Sequence, residues 1–320
     1  MRLNMLWVFP CRQMRTIRVR NPIDGRIQPS YVGLPTSPKG SSSARPMIVF
    51  FHKWSSSYRE YDIGLAKVAL KEGWVFLSPH YRGRNNRPDA GASAIAQQDV
   101  CVAIDECVRR FDVDPNRIHL AGLSGGGHMA LVMAGRFPSL FASATVWSPI
   151  GDLADWHRFH VQQKTFYPYW KDVEAVTGGP PGSSPSVDMQ YAERSPVQFF
   201  SAAERLPVDI NHGIHDGHQG HTIPINQSIQ LFNRMAKQTG TLEVSRDEIR
   251  YLLDAGQKRT IEPIDHVEDP SYGTRIYLRR QAGRTRLTIF EGAHDMIVSA
   301  AYAWLKDRDQ DVVTSSNNLR

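Results

Sequence analysis

Apolar residues in this chain fall into short continuous runs, and between the runs they recur at helical spacing. The runs are "RPMIVFF" (45–51), "GWVFLSP" (73–79), "RIHLAG" (117–122), "SATVWSP" (143–149), "LPVDINHG" (206–213) and "TRLTIFEG" (285–292). Runs this short, with little polar alternation, predict strands buried on both faces. Helical patterns separate them over roughly 58–72, 94–111, 126–137, 224–238 and 295–306. Buried strands joined by crossover helices predict an α/β fold: a mostly parallel, doubly wound sheet with helices on both faces.

Two segments break this alternation. Residues 151–204 are rich in aromatics, Pro and Gly, and sit between two core strands, where they predict a cap insertion. Residues 241–283 open on Ser245 followed three residues later by Glu248, a capping box, and end in a hairpin, "RIYLRR-QAG-RTRLTIF". "PTSPKGSSSARP" (35–46) reads as a loop between strand-like runs, and "DVVTSSNNLR" as a frayed tail. The expected organisation is one domain over 16–308, with insertions at 151–204 and 241–283 and tails at 1–15 and 309–320.

Chemistry enters at "RIHLAGLSGGGHMALVMAG". Gly122-Leu123-Ser124-Gly125-Gly126 is a G-x-S-x-G lying directly after a predicted strand and before a predicted helix. That context is what a nucleophile elbow requires, with the serine oxygen lifted above the sheet and the helix N-terminus beneath it. A nucleophilic serine needs a base, and the base needs an acid to orient it. In folds that use this elbow, the chain order is Ser, then Asp or Glu, then His. His294 follows the last strand, in the loop where the base belongs. Asp216, in the loop after "LPVDINHG", is the acid: Asp209 lies within the strand, and Asp295 adjoins the base.

Composition narrows the picture further. Hydrophobic residues make up 41% and charged residues 22%, as in an ordinary globular enzyme. The net charge of +6 is densest in "YRGRNNR" (81–87) and "YLRRQAGRTR" (277–286), with no nucleic-acid motif beside it, so a solvated basic surface is the expectation. Three cysteines give no disulfide framework. No stretch reads as a signal peptide or reaches transmembrane length. A cytoplasmic location is therefore expected, or a secreted one if a leader precedes the sequence.

"NHGIHDGHQGH" (211–221) offers His212, His215, His218 and His221, which are good zinc-ligand types. Interrupting glycines and strand alternation argue against their convergence, so no metal or other cofactor is expected.

"VDPNRIHLAGLSGGGHMALVMAGRFPSLFAS" resembles the catalytic core of the prolyl oligopeptidase family, within the α/β-hydrolase superfamily. "SPHYRGR" is similar to that family's Tyr-Arg-Gly segment, and "ERSPVQFF" with "LPVDINHGIHDGHQGHTIPINQS" to its "HG-x-x-D-x-x-VP-x-x-QS" pattern. The resemblance implies a serine hydrolase with Ser124, Asp216 and His294 as its triad. It also implies an oxyanion hole built from the N–H of Gly125 and a second N–H from the loop "FHKW", that of Trp54. The family's usual His-Gly-Gly-Pro is replaced there by Phe51-His52-Lys53-Trp54. Peptidases of this family carry a β-propeller ahead of the hydrolase domain. With about fifty residues before His52, none is expected here.

The expected activity is hydrolysis of small carboxylic esters, acetyl or feruloyl esters of carbohydrates among them, with His52, Trp156, Tyr167 and Trp170 at the substrate. An exopeptidase acting on short peptides is the near alternative, and a non-catalytic binding protein of the same fold the distant one. Neither nucleic acid nor membrane is an expected partner.

Overall fold

The structure is a computed structural model, which describes residues 14–36, 44–163, 167–201, 206–218, 222–257 and 262–317. Five of the apolar runs form the central strands β3 (Arg45–Phe51), β4 (Val75–Pro79), β5 (Val113–Leu123), β6 (Ser143–Trp147) and β7 (Val208–Gly213). Ahead of them come β1 (Met14–Arg20) and β2 (Ile27–Gly33), and after them β8 (Ile276–Ala282) and β9 (Thr285–Phe290). Among the described residues these strands form one sheet in the order β1-β2-β4-β3-β5-β6-β7-β9-β8. The stretch from β4 to β9 is parallel, while β1, β2 and β8 join antiparallel. This is the mostly parallel, doubly wound sheet that the apolar runs predict.

Crossover helices cover both faces. Along β3, Met47, Val49 and Phe51 face one core, with α2 (Ala94–Arg110), α3 (Gly125–Arg136) and α8 (Asn226–Thr239). Ile48 and Phe50 face the other, with α1 (Ile63–Lys71) and α10 (Val298–Asn317). Side-chain caps start these helices where sequence chemistry allows: Asp62 accepts from Leu65 N at 2.7 Å, and Ser93 from Ala96 N at 3.2 Å. Asp62 also explains why α1 begins later than the 58 expected from periodicity.

The described residues of the segment 151–204 form four helices: α4 (Leu153–Gln163), α5 (Tyr169–Thr177), α6 (Pro185–Arg194) and α7 (Pro196–Phe199). Trp156, Val173, Val176, Val187 and Tyr191 pack it into a small core of its own, together with Trp54 and Ile223. Beyond β7, the capping box of α9 (Arg246–Gln257) is complete. Ser245 N donates to Glu248 at 2.8 Å, and Glu248 N to Ser245 Oγ at 3.2 Å. The hairpin β8–β9 forms with Ala282 opposite Thr285.

Two expectations need correction. The last helix does not stop near 306: α10 runs to Asn317, through most of the segment read as a tail. Asp309, inside that segment, is held by Arg117 at 2.6 and 2.8 Å and by His119 at 3.2 Å, so a long-range ion pair keeps the added turns helical. The N-terminal hairpin β1–β2 also extends the sheet where sequence periodicity gave only one strand-like run. Residues 37–43 of the 35–46 loop lie outside the described residues.

Candidate active site

Ser124 sits between β5 and α3 with φ +63° and ψ −125°, a conformation that a non-glycine residue adopts only under constraint. Two bonds hold it there. Its N–H donates to the Trp147 carbonyl at 2.8 Å, and its carbonyl accepts from His128 N at 2.9 Å. The flanking glycines let backbone meet backbone. A Cβ on Gly122 would lie 2.3 Å from the Gly126 carbonyl oxygen, and one on Gly126 would lie 2.0 Å from that of Phe51. The sharp strand-to-helix turn expected of the G-x-S-x-G is present.

The loop after β3 lies against the start of α3. A Cβ on Gly125 would fall 2.5 Å from Trp54 N, so the backbones at the two expected oxyanion donors are neighbours. As the first residue of α3, Gly125 has no acceptor within the helix for its N–H. The loop is fixed from the far side by the segment following β4. Tyr81 Oη donates to the His52 carbonyl at 2.8 Å, and Asn85 N to the Trp54 carbonyl at 2.9 Å. Arg82 anchors that segment in turn, through Asp99 at 2.5 Å and Asp24 at 2.6 Å. Two glycines are thus replaced in "FHKW" without loss of an ordered loop.

Asp216, in the turn after β7, is fully buried and surrounded by donors. Oδ1 accepts from Gly217 N at 2.9 Å and Ile223 N at 3.1 Å. Oδ2 lies 2.5 Å from His294 Nδ1 and 3.5 Å from His212 Nε2. Burial alone would raise this carboxyl, but the hydrogen bonds and charge of His212 and His294 outweigh it and hold Asp216 below the usual carboxylate range. An ionised Asp216 only accepts, so His294 Nδ1 carries the proton between them. The strand ends meet closely here: a Cβ on Gly213 would lie 2.1 Å from the Ala293 carbonyl oxygen. Asp209, by contrast, is buried against Arg286 at 2.7 Å and Asn211 at 2.7 Å, and Asp295 is exposed.

Within the histidine run, His212 and His215 go to separate partners. His212 is bonded to Ser228 Oγ at 2.7 Å and the Ile223 carbonyl at 3.0 Å, and His215 reaches Glu291 at 2.6 Å. Among the described residues no group of three potential ligands could hold a metal ion, and His221 lies outside them.

The substrate expectations divide. His52 is buried and stacked on Tyr81, ring centroids 4.1 Å apart, with Nδ1 donating to the Lys53 carbonyl at 2.9 Å. Trp156 is buried edge-on to Trp54, its indole N–H donating to the Thr222 carbonyl at 2.9 Å. Neither presents surface to a ligand, which corrects the expectation for both: their rings complete the local core instead. Tyr167 and Trp170 are half-buried. Tyr81, Asn85, Thr222 and His212 were not foreseen as parts of the site. For Tyr81 the only sequence signal was the Tyr-Arg-Gly segment.

Sheet, strand-to-helix serine turn and an aspartate–histidine pair at the carboxyl edge define an α/β-hydrolase. The sequence model of the prolyl oligopeptidase family matches residues 61–248, and the chain belongs to that family. S-formylglutathione hydrolase from Rattus norvegicus is 31% identical over 106 residues, covering 30% of this chain and 36% of the relative. Among solved structures, a puromycin hydrolase superposes with a TM-score of 0.61 at 17% identity, over 94% of this chain and 39% of its own. The uncomplexed acylaminoacyl peptidase of Pyrococcus horikoshii gives 0.59 at 18%, over 93% of this chain and 40% of its own. These structural likenesses establish the fold, and the matches span well under two thirds of each relative's length. Among the described residues no helix is long and apolar enough to cross a membrane.

Proposed function

We propose that this chain is a serine hydrolase that cleaves small carboxylic esters through an acyl-enzyme on Ser124. The observation that carries the reading is the pairing of buried Asp216 with His294 at 2.5 Å, at the same sheet edge as the constrained Ser124 turn. His294 Nε2 takes the Ser124 hydroxyl proton as Oγ attacks the ester carbonyl carbon. The oxyanion is held by the N–H groups of Gly125 and Trp54. The C–O bond then breaks, and the alcohol departs with the proton from His294. Water, deprotonated by His294, attacks the acyl-enzyme, which releases the acid and returns the proton to Ser124. These steps draw on no cofactor.

Residues 16–308 form one hydrolase domain in this reading, with the helices of 151–204 beside the site. Tyr167 and Trp170 are the aromatic surfaces left for an acyl group or sugar. Support for an ester over a peptide comes from the curated relative, whose name denotes hydrolysis of a thioester. The peptidase names among the structural relatives keep an exopeptidase as the second reading.

Turnover of p-nitrophenyl acetate and of aminoacyl-p-nitroanilides by the wild type and by Ser124→Ala tests this. The wild type is expected to hydrolyse the acetate, the anilides at least about 100-fold more slowly, and Ser124→Ala to lose about 10³-fold or more in kcat. Faster anilide turnover would move the assignment to the exopeptidase. Activity surviving in Ser124→Ala would overturn the nucleophile.

A further inference from the structure

Thr222 and Ile223 together touch both members of the acid–base pair. Ile223 N–H donates to Asp216 Oδ1 at 3.1 Å. Thr222 Oγ1 lies 3.3 Å from His294 Nδ1 and 3.4 Å from Nε2. Near-equal distances to the two nitrogens that flank Cε1 put the hydroxyl against that part of the imidazole ring, not along either N–H direction.

The same pair of residues is gripped from two other sides. Its Ile223 carbonyl, in the next peptide, faces His212 Nε2 at 3.0 Å. Its Thr222 carbonyl takes two donors from helix α4: Trp156 Nε1 at 2.9 Å and His160 Nε2 at 2.9 Å. A carbonyl only accepts, so His160 Nε2 carries the proton. Burial keeps that ring neutral, its pKa pushed down to about 4, so the arrangement persists across the neutral range. Trp156 and His160 are themselves locked edge to face at 5.0 Å, with Tyr169 of α5 against both.

We propose that α4 sets the position of the base: Trp156 and His160 hold the Thr222 carbonyl, and Thr222 in turn holds the His294 ring over Asp216. Thr222, Trp156 and His160 are positioning residues, acting through His294 and not on the substrate. The inserted helices thereby become part of the catalytic frame as well as its cover. A base misplaced by an ångström can lose up to about 100-fold in rate, so the contacts have leverage. The inference rests on His294 being the base.

Thr222→Val keeps the side-chain shape and removes the hydroxyl, Thr222→Ser keeps the hydroxyl, and Trp156→Phe removes only the indole N–H donor with part of the ring. Two readouts apply: steady-state hydrolysis of p-nitrophenyl acetate, and the downfield proton resonance of His294 Nδ1–H, identified by its loss in His294→Gln. Thr222→Val is expected to lower kcat about tenfold with KM within about twofold, and to broaden the resonance by exchange with water. Thr222→Ser should restore both. The Trp156→Phe and Thr222→Val losses should be less than additive when combined, because they act along one path. Wild-type kcat and an unbroadened resonance in Thr222→Val would overturn the proposal, and full additivity would remove α4 from it. If the wild type turns over no ester, the proposed function fails, and the resonance still decides whether Thr222 holds the ring.

Discussion

The hydroxyl of Tyr81 donates to the carbonyl of His52, and the Asn85 N–H to that of Trp54, so the peptide carrying the Trp54 N–H is fixed at both ends. Removing the first of these bonds leaves a buried carbonyl unpaired, a loss of about 1–3 kcal/mol. Tyr81→Phe is therefore expected to lower stability by that amount in denaturant titrations and kcat for ester hydrolysis by about tenfold, with KM little changed. An unchanged kcat would mean that Trp54 N–H lies outside the oxyanion hole. Residues of this kind are silent in the sequence. Ser124, Asp216 and His294 could be read there because elbow chemistry fixes their residue types and their order along the chain. Tyr81, Asn85 and Thr222 work through backbone carbonyls and a ring, which any of several residue types could contact. His52 and Trp156 were misread for the converse reason: an aromatic side chain near a site has the same pattern whether it faces the ligand or the core.

Among the elements, the strands buried on both faces were the most legible, because β3 to β7 and β9 are covered by helices and so read as short continuous apolar runs. The α9 capping box and the β8–β9 hairpin were legible from local chemistry alone. The β1–β2 hairpin was not. β1 alternates basic and apolar residues at the sheet edge, "MRTIRVR", and its pairing is long-range in origin, since β2 lies against β4. The extent of α10 was hidden in the same way: its last turns depend on Asp309 meeting Arg117 and His119 across the chain, and local composition reads as a tail.

Across the molecule, the basic runs that the sequence assigns to solvent are largely paired. Arg82 meets Asp24 and Asp99, Arg84 meets Asp172, Arg279 meets Asp269, Arg280 meets Asp265 and Glu248, and Arg286 meets Asp209. Titration of the fold should be governed by its buried groups. Burial pushes His52 down to about 3 and His80, His128 and His160 to about 4, below their ordinary value near 6.5. Between roughly pH 6.5 and 4 the unfolded chain takes up protons that the folded one refuses, so stability falls as pH falls. The depressed Asp216 carboxyl adds to this at lower pH, since its contribution is present above the usual carboxylate range and lost on acidification through it. Urea titrations from pH 7 to 4.5 are expected to show this decline. His128→Gln should flatten the slope by up to about 1.4 kcal/mol per pH unit, and an unchanged slope would mean that His128 titrates normally. Covalent trapping tests whether the serine at the constrained turn is activated by His294 held on a buried Asp216. The protein would be incubated with a fluorophosphonate and the modified peptide mapped by mass spectrometry, for the wild type and for His294→Gln. One adduct is expected, on Ser124 in the wild type, formed at least about 100-fold more slowly in His294→Gln. A wild type left unlabelled, or labelled at another residue, would contradict it.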